Sequence, residues 1–236
     1  MNSDVKGAHS ANRLLAATSA SDFLILKPSL ELVPLELRTV LVDVGEPIRH
    51  VYFPHSAVIC LMAVMGEQEI AETATVGPEG AVGVEVLLGK PTAMHRTLVQ
   101  IPGAASRIGV REFSAAIQES GSFRALLLRY MGAFLLQVSQ SVACNSLHKL
   151  EERCSRWLLM AHDRAHRDEF QLTQEFLADM LGVHRPTVTI VARTLQAAGL
   201  IKYNRGRLTI VDRRGLEESA CECYGIVKRA YEEIYG

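Results

Sequence analysis

The chain has 236 residues, a net charge of −1, and 48% hydrophobic against 22% charged residues. That excludes a disordered chain and leaves room for two modest domains or one large one. It contains no run of about 18 apolar residues, which excludes a membrane-spanning helix, and the near-zero net charge means that any contact with nucleic acid must rest on a local basic patch.

Met1–Ala20 is polar, rich in Ala and Ser, and lacks the basic-then-apolar build of a secretion signal. A cytoplasmic protein with a flexible tail over residues 1–20 is expected. Asp22–Val33 reads as one or two short helices. From Val40 to about Gly109, short β-branched and aliphatic runs are broken by Gly45-Glu46-Pro47, Gly66-Glu67, Gly77-Pro78-Glu79-Gly80, Gly89-Lys90-Pro91 and Pro102-Gly103. Turn signals at this spacing predict an antiparallel roll or sandwich over residues 21–111. His50-Val51-Tyr52-Phe53-Pro54 is one of its strands, ended by its proline.

Glu112 to about Asn145 is helical. Leu128, Met131, Leu135, Val138 and Val142 recur at alternating spacings of 3 and 4, a coiled-coil-like seam. Phe123, Leu127, Tyr130 and Phe134 form a second stripe beside it. Two stripes on one helix predict that one packs on the chain's own domain and the other on a partner helix, so residues 112–147 are read as a dimerisation helix and hinge. A single helix buried in its own domain is the alternative. His148–His166 is another amphipathic helix, with Leu150, Cys154, Trp157, Leu158 and Ala161 on one side, and a hinge is expected near Cys144–His148.

Residues 148–236 carry the strongest signal. Two helices crossing at a tight turn need a small residue where they touch and one that tolerates positive φ at the bend. Counting from Gln174, Ala178 and Gly182 fill those places, and Leu177, Leu181, Val183, Val188 and Val191 supply the apolar contacts. Thr173 is placed to cap the first helix. His184–Ala198 is then the recognition helix, with Pro186 in its first turn, where a missing N–H is harmless. Its first residues would enter a major groove. Arg185 suits bidentate contact with guanine, Thr187 a base edge, a thymine methyl or a phosphate, Thr189 and Arg193 phosphates, and His184 a base contact or a weak cap. Two short strands around Asn204-Arg205-Gly206-Arg207 form a hairpin with a basic tip, so Arg205 and Arg207 join the DNA-binding set. From Met180 to Arg214, seven basic residues face the single acid Asp212.

These residues, with the roll and long helix before them, resemble the CRP/FNR superfamily of bacterial transcription regulators over about Phe23–Leu216. The most specific pieces are Leu172-Thr173-Gln174-Glu175 through Leu200-Ile201 and the Arg-Gly wing; Tyr52-Phe53-Pro54 and Leu150-Glu151-Glu152-Arg153 before Trp157 add to them. The resemblance implies an α+β chain: a cyclic-nucleotide-binding-like jelly roll, a long dimerisation helix and a C-terminal winged helix-turn-helix. It further implies a homodimer on two-fold symmetric double-stranded DNA, contact with RNA polymerase, and a cyclic nucleotide or other small effector held in the roll. Carried over residue by residue, the effector set is Gly83, Glu85, Arg96, Thr97, Ser139 and Gln140. Glu85 stands one place late for the ribose-binding carboxylate, and the loop before Arg96-Thr97 is longer than in cyclic-AMP-binding members. The oxygen-sensing branch uses N-terminal cysteines for an iron–sulfur cluster, and no cysteine precedes Cys60. In the recognition helix, Pro186 and Ile190 stand where the cyclic-AMP receptor has a glutamate and a second arginine, which implies a different DNA site.

The five cysteines, an odd number, argue for free thiols. Cys144 with His148, and His162 with His166, have a helical spacing suited to two metal ligands, but no third and fourth ligand stands at matching spacing, so no metal is expected. Cys221-x-Cys223 is read as packing or facing solvent, with a redox or metal-binding pair as the alternative. Gly77-x-x-Gly80-x-x-Gly83 lacks the Gly-Lys-Ser/Thr of a phosphate loop, and no catalytic constellation is evident, so an enzyme is not expected. The competing readings are a small-molecule-binding module whose helix-turn-helix makes protein contacts, and a constitutive DNA binder with a degenerate sensor.

Overall fold

The computed structural model describes residues 6–65 and 69–235. The turn-punctuated stretch folds as two antiparallel sheets. One holds β1 (Glu31–Leu35), β3 (His50–Pro54) and β7 (Gly103–Gly109) in the order β1-β7-β3; the other holds β2 (Val40–Val42), β4 (Val58–Met65), β5 (Glu69–Val76) and β6 (Arg96–Ile101) in the order β2-β6-β4-β5. The period of two sorts side chains between two cores. Tyr52, Val82, Ile59, Val99 and Ala105 pack between the sheets, while Val51 and Phe53 point the other way, toward the helices. β1 takes the place of the end of the predicted Asp22–Val33 helix. Its Pro34 is tolerated because β1 is an edge strand bonded only to β7. The Gly66-Glu67 turn lies outside the described residues.

The expected loose tail is corrected for residues 6–20. A 3-10 turn leads into α1 (Arg13–Ala17) and α2 (Ala20–Leu26), and Leu14 and Leu15 are fully buried. Asn12 caps α1 through Oδ1 and donates from Nδ2 to the Pro54 and Gly80 carbonyls at 2.9 and 2.8 Å. Composition hid this, because two leucines and one capping asparagine suffice to anchor an Ala/Ser-rich stretch.

The predicted Glu112–Asn145 helix is two: α3 (Val110–Glu119) and α4 (Gly121–Leu147). Ser120 breaks the run in an extended conformation; its hydroxyl caps Phe123 N–H at 3.0 Å and donates to Asp22 at 2.7 Å. α4 is about 40 Å long and carries both stripes. Phe123, Leu127 and Tyr130 are buried against the roll, with Phe134 half-buried. Leu128, Leu135 and Val142 are 48%, 65% and 65% exposed, flanked by half-buried Met131 and Val138.

α5 (Leu150–Ala165) buries Cys154, Trp157, Leu158 and Ala161 in a core shared by the roll (Val58, Met62, Ile101) and the C-terminal elements. Those are α6 (Gln174–Leu181), α7 (Arg185–Ala197), α8 (Arg213–Ser219) and a small sheet of β8 (Glu169–Gln171), β9 (Ile201–Asn204) and β10 (Arg207–Ile210), ordered β8-β10-β9. α9 (Cys223–Tyr235), absent from the sequence reading, runs back along α4 and buries Val227, Tyr231 and Ile234 beside Leu127 and Tyr130. Each such side chain contributes roughly 1.5–3 kcal/mol. No helix among the described residues is long and apolar enough to cross a membrane.

Candidate nucleic-acid interface and effector cavity

The bend between α6 and α7 is built as the residue types require. The Thr173 hydroxyl accepts Phe176 N–H at 3.1 Å and caps α6. α6 ends at Gly182, whose φ of +63° is a left-handed conformation that favours glycine. Ala178, Leu177, Leu181, Val188 and Val191 are buried where the helices meet, and Val183 is half-buried. With that face spent, the start of α7 is turned outward: His184, Arg185, Pro186, Thr187 and Arg193 are exposed. So is Ile190, at 63%, a residue the sequence reading took only as a replaced arginine.

Thr189 departs from the expected phosphate contact. It is half-buried, and its hydroxyl donates to Gln174 Oε1 at 2.7 Å, tying α7 to the first residue of α6. Arg205 (φ +48°) and Gly206 (φ +77°) form the two-residue turn between β9 and β10, with both residues at positive φ as in a type I′ hairpin. Arg205 is exposed at the tip. Arg207 is exposed too, but its guanidinium meets Glu169 at 3.1 Å, a surface pair that is worth little and easily exchanged. No ion pair among the described residues involves Arg185, Arg193 or Arg205.

In the roll, a cavity of about 310 Å³ opens between the strands, lined by Glu46, Arg49, His50, Tyr52, Gly83, Glu85 and Thr97 among others. That is at the lower end of ligand-site volumes. Gly83 approaches it at φ +84°, and a Cβ there would lie 2.6 Å from the His50 carbonyl oxygen. Glu85 Oε2 is buried with no hydrogen-bond partner among the described residues. Burial holds the His50 imidazole below its ordinary range, with the Arg107 charge acting in the same direction.

Three of the six expected effector residues, Gly83, Glu85 and Thr97, line this cavity; the other three do not. Arg96, expected on a phosphate, is clamped by both oxygens of Asp43 at 3.0 and 2.7 Å. Ser139 is exposed on α4, and Gln140 donates to Cys223 Sγ at 3.1 Å. The residues therefore fit a small polar ligand but not a phosphate held by Arg96. Arg49, Glu46 and His50 are lining residues that the sequence reading missed, since they sit on a loop and a strand start with no motif of their own.

Between roll and helix-turn-helix lies Glu72 of β5. Its carboxylate accepts from Trp157 Nε1 at 3.1 Å and from Gln100 Nε2 at 3.2 Å, and desolvation raises its pKa to about 7. Beside it, Arg164 of α5 donates to Glu79, Thr75 and Gln137, so one guanidinium joins the roll, α4 and α5. His162 is bound to Asp168 and Arg213, away from any partnership with His166. The Cys144–His148 pair, read as lacking further ligands, and Cys221-x-Cys223, read as packing or facing solvent, meet at one point between α4 and α9.

Residues 152–219 match the Crp-like helix-turn-helix domain. In structure, the chain is similar to FixK2 from Bradyrhizobium japonicum (TM-score 0.69, 15% identity, 81% of this chain and 98% of that one). It is also similar to a CRP/FNR-family transcriptional regulator from Thermus thermophilus (TM-score 0.67, 22% identity, 80% and 98%). The c-di-GMP-responsive global regulator CLP from Xanthomonas campestris gives a TM-score of 0.66 at 16% identity, over 82% and 100%. At these identities the likeness is one of fold. No curated protein matches the chain in sequence.

Proposed function

We propose, for a chain that carries a Crp-like helix-turn-helix domain in the fold of the CRP/FNR transcription regulators, that it works in the cytoplasm as a homodimer binding two-fold symmetric operator DNA under the control of a small effector in the roll. The observation that carries this is the outward face of α7. Arg185 stands exposed at its N-terminal end and makes no ion pair among the described residues. Arg185 reads guanine, Thr187 and Ile190 meet a base edge or a thymine methyl, and Arg193 and Arg205 neutralise phosphates. Thr189 acts from within, by holding α7 against α6.

The exposed Leu128–Leu135–Val142 seam supports pairing of two α4 helices, since a row of large apolar side chains at heptad spacing gains from burial against its own copy. The effector site is the cavity walled by Gly83, Glu85, Thr97 and Arg49, and the unpartnered Glu85 oxygen favours a ligand that donates a hydrogen bond. RNA polymerase is the expected second partner on DNA.

Selection of preferred duplexes from a random pool tests the reading. Two inverted half-sites with centres about 34–36 Å apart, or a multiple of that, are expected. A pool that stays unenriched would favour the alternative, a ligand-binding module whose helix-turn-helix contacts protein.

A further inference from the structure

Cys144 lies near the end of α4, His148 caps that helix, and Cys221 and Cys223 stand just before and at the start of α9. The helix-turn-helix and its wing separate the two halves in sequence. In the fold, Cys144 Sγ is 3.5 Å from Cys221 Sγ, and His148 Nδ1 is 3.4 Å from Cys223 Sγ. All four ligand atoms lie within 4.8 Å of one another. The three cysteines are buried and none is in a disulfide.

The surroundings are those of a ligand set. His148 directs Nδ1 at the sulfurs and Nε2 at the Glu222 carboxylate, 3.3 Å away, the carboxylate–imidazole pairing that fixes the tautomer of metal-bound histidines. Gln140 Nε2 donates to Cys223 Sγ at 3.1 Å. Arg156 is buried on α5, its Nε without a partner among the described residues and its Nη1 meeting Met160 Sδ at 3.4 Å; half-buried Arg153 has no partner at Nε among those residues, while its Nη2 donates to the Leu181 carbonyl at 2.6 Å. Both guanidiniums lie within electrostatic reach of Cys144, and Arg156 also of the Glu72 carboxylate.

We propose that Cys144, His148, Cys221 and Cys223 bind one zinc-class divalent ion in a closed tetrahedral Cys3His site. The ion displaces three thiol protons to solvent and takes the lone pair of His148 Nδ1, leaving Nε2–H to Glu222. Three thiolates around a divalent cation carry a net charge of −1, which suits a site beside the Arg153 and Arg156 guanidiniums. Sulfurs at ~2.3 Å from a tetrahedral centre sit ~3.8 Å apart, close to the separation already present. A four-iron cube spreads its ligands, each on its own corner, well beyond that. The ion staples the end of the dimerisation helix to the start of α9 and so fixes the hinge beyond which the DNA-binding elements lie.

Metal analysis of the full-length protein purified without chelator should find about one zinc per chain. After chelation, Co2+ should restore one equivalent, with the intense visible d–d bands of a tetrahedral ion and near-ultraviolet thiolate charge transfer. Cys223→Ser and His148→Ala should lose the ion. Two sets of controls guard against misfolding. His148→Cys should retain metal with a four-thiolate spectrum, and Cys60→Ala and Cys154→Ala, which remove buried thiols outside the cluster, should leave stoichiometry unchanged. Absence of zinc with no Co2+ uptake overturns the proposal. So does iron with acid-labile sulfide, or a Cys144–Cys221 disulfide in place of the ion.

Discussion

The helix-turn-helix is built from one continuous stretch, Gln174–Arg193, while the cavity in the roll collects its walls from four: Leu41–Val42, Glu46–Tyr52, Val82–Glu85 and Ala93–Thr97. In the first, each position is set by contacts a few residues away, so a change at Arg185 leaves its neighbours in place. In the second, each wall is held by strand pairing across long sequence separations, so the shape belongs to the sheet register.

The largest expected effect separates the two regions. Leu135 is 65% exposed on α4 and makes no part of either site. Leu135→Glu puts like charges opposite each other in a paired seam, so sedimentation velocity should show monomers at micromolar concentration. Affinity for a two-fold operator should fall at least ~100-fold, because one half-site alone remains engaged, while each protomer keeps its roll cavity. An unchanged dimer would assign the seam to another surface.

Next comes the joint between them. The Glu72 carboxyl, held at about 7 by burial against an ordinary value of 4.5, keeps a proton in the folded chain that the unfolded chain has released between those pH values. Its contribution to stability is therefore full below pH 4.5, falls as pH rises to 7, and stays lost above. Glu72→Gln removes the titration; its amide still accepts from Trp157, and Gln100 Oε1, buried without a partner, can turn to accept from it. The variant should be more stable than the parent at pH 8, by at most about 3 kcal/mol, and equal to it near pH 4.5. Thermal melts at the two pH values check this, and a difference that does not vary with pH would show that Glu72 is not the titrating group.

Within the reading surface, Arg185→Ala should cost about 1–3 kcal/mol, or roughly 5- to 150-fold in operator affinity, and relax the preference at one base pair of each half-site. Arg193→Ala should weaken all sequences alike and lower the salt slope by about one. Neither should alter binding of a small ligand in the roll, which calorimetry with cyclic AMP, cyclic GMP and cyclic di-GMP can read.

The same contrast decides what the sequence disclosed. Ala178, Gly182 and the capping Thr173 announce the bend because helix contacts recur every three or four residues. The roll is legible as a rhythm of turns, but β1 is not: Glu31–Val33 reads as the end of the Asp22–Val33 helices, and only its pairing with β7 marks it as an edge strand. Arg96 misled for a related reason: similarity placed it beside Thr97, yet only the β2–β6 pairing reveals Asp43 opposite it. Cys144 and Cys221 were visible as residues and invisible as a pair, because nothing local indicates that α9 turns back along α4. The docking of Leu14 and Leu15 was hidden likewise, their burial depending on a pocket made by distant chain.

Thr189 gives the smallest effect and the finest test. Spacing along α7 assigns it to a phosphate; geometry assigns its hydroxyl to Gln174 Oε1. Thr189→Val keeps the shape and deletes one hydrogen bond, with Gln174 half-buried and able to reach water, so a loss of about 1 kcal/mol is expected, read as a fall in Tm of roughly 2–4 °C. DNA affinity, measured well below that Tm at fixed salt, should change less than about two-fold, since no direct phosphate contact is lost. If affinity drops several-fold while Tm holds, the hydroxyl turns outward on DNA and the contiguous reader extends one turn further along α7. If both hold, the bond to Gln174 is dispensable, and packing of Val188 and Val191 alone orients the helix.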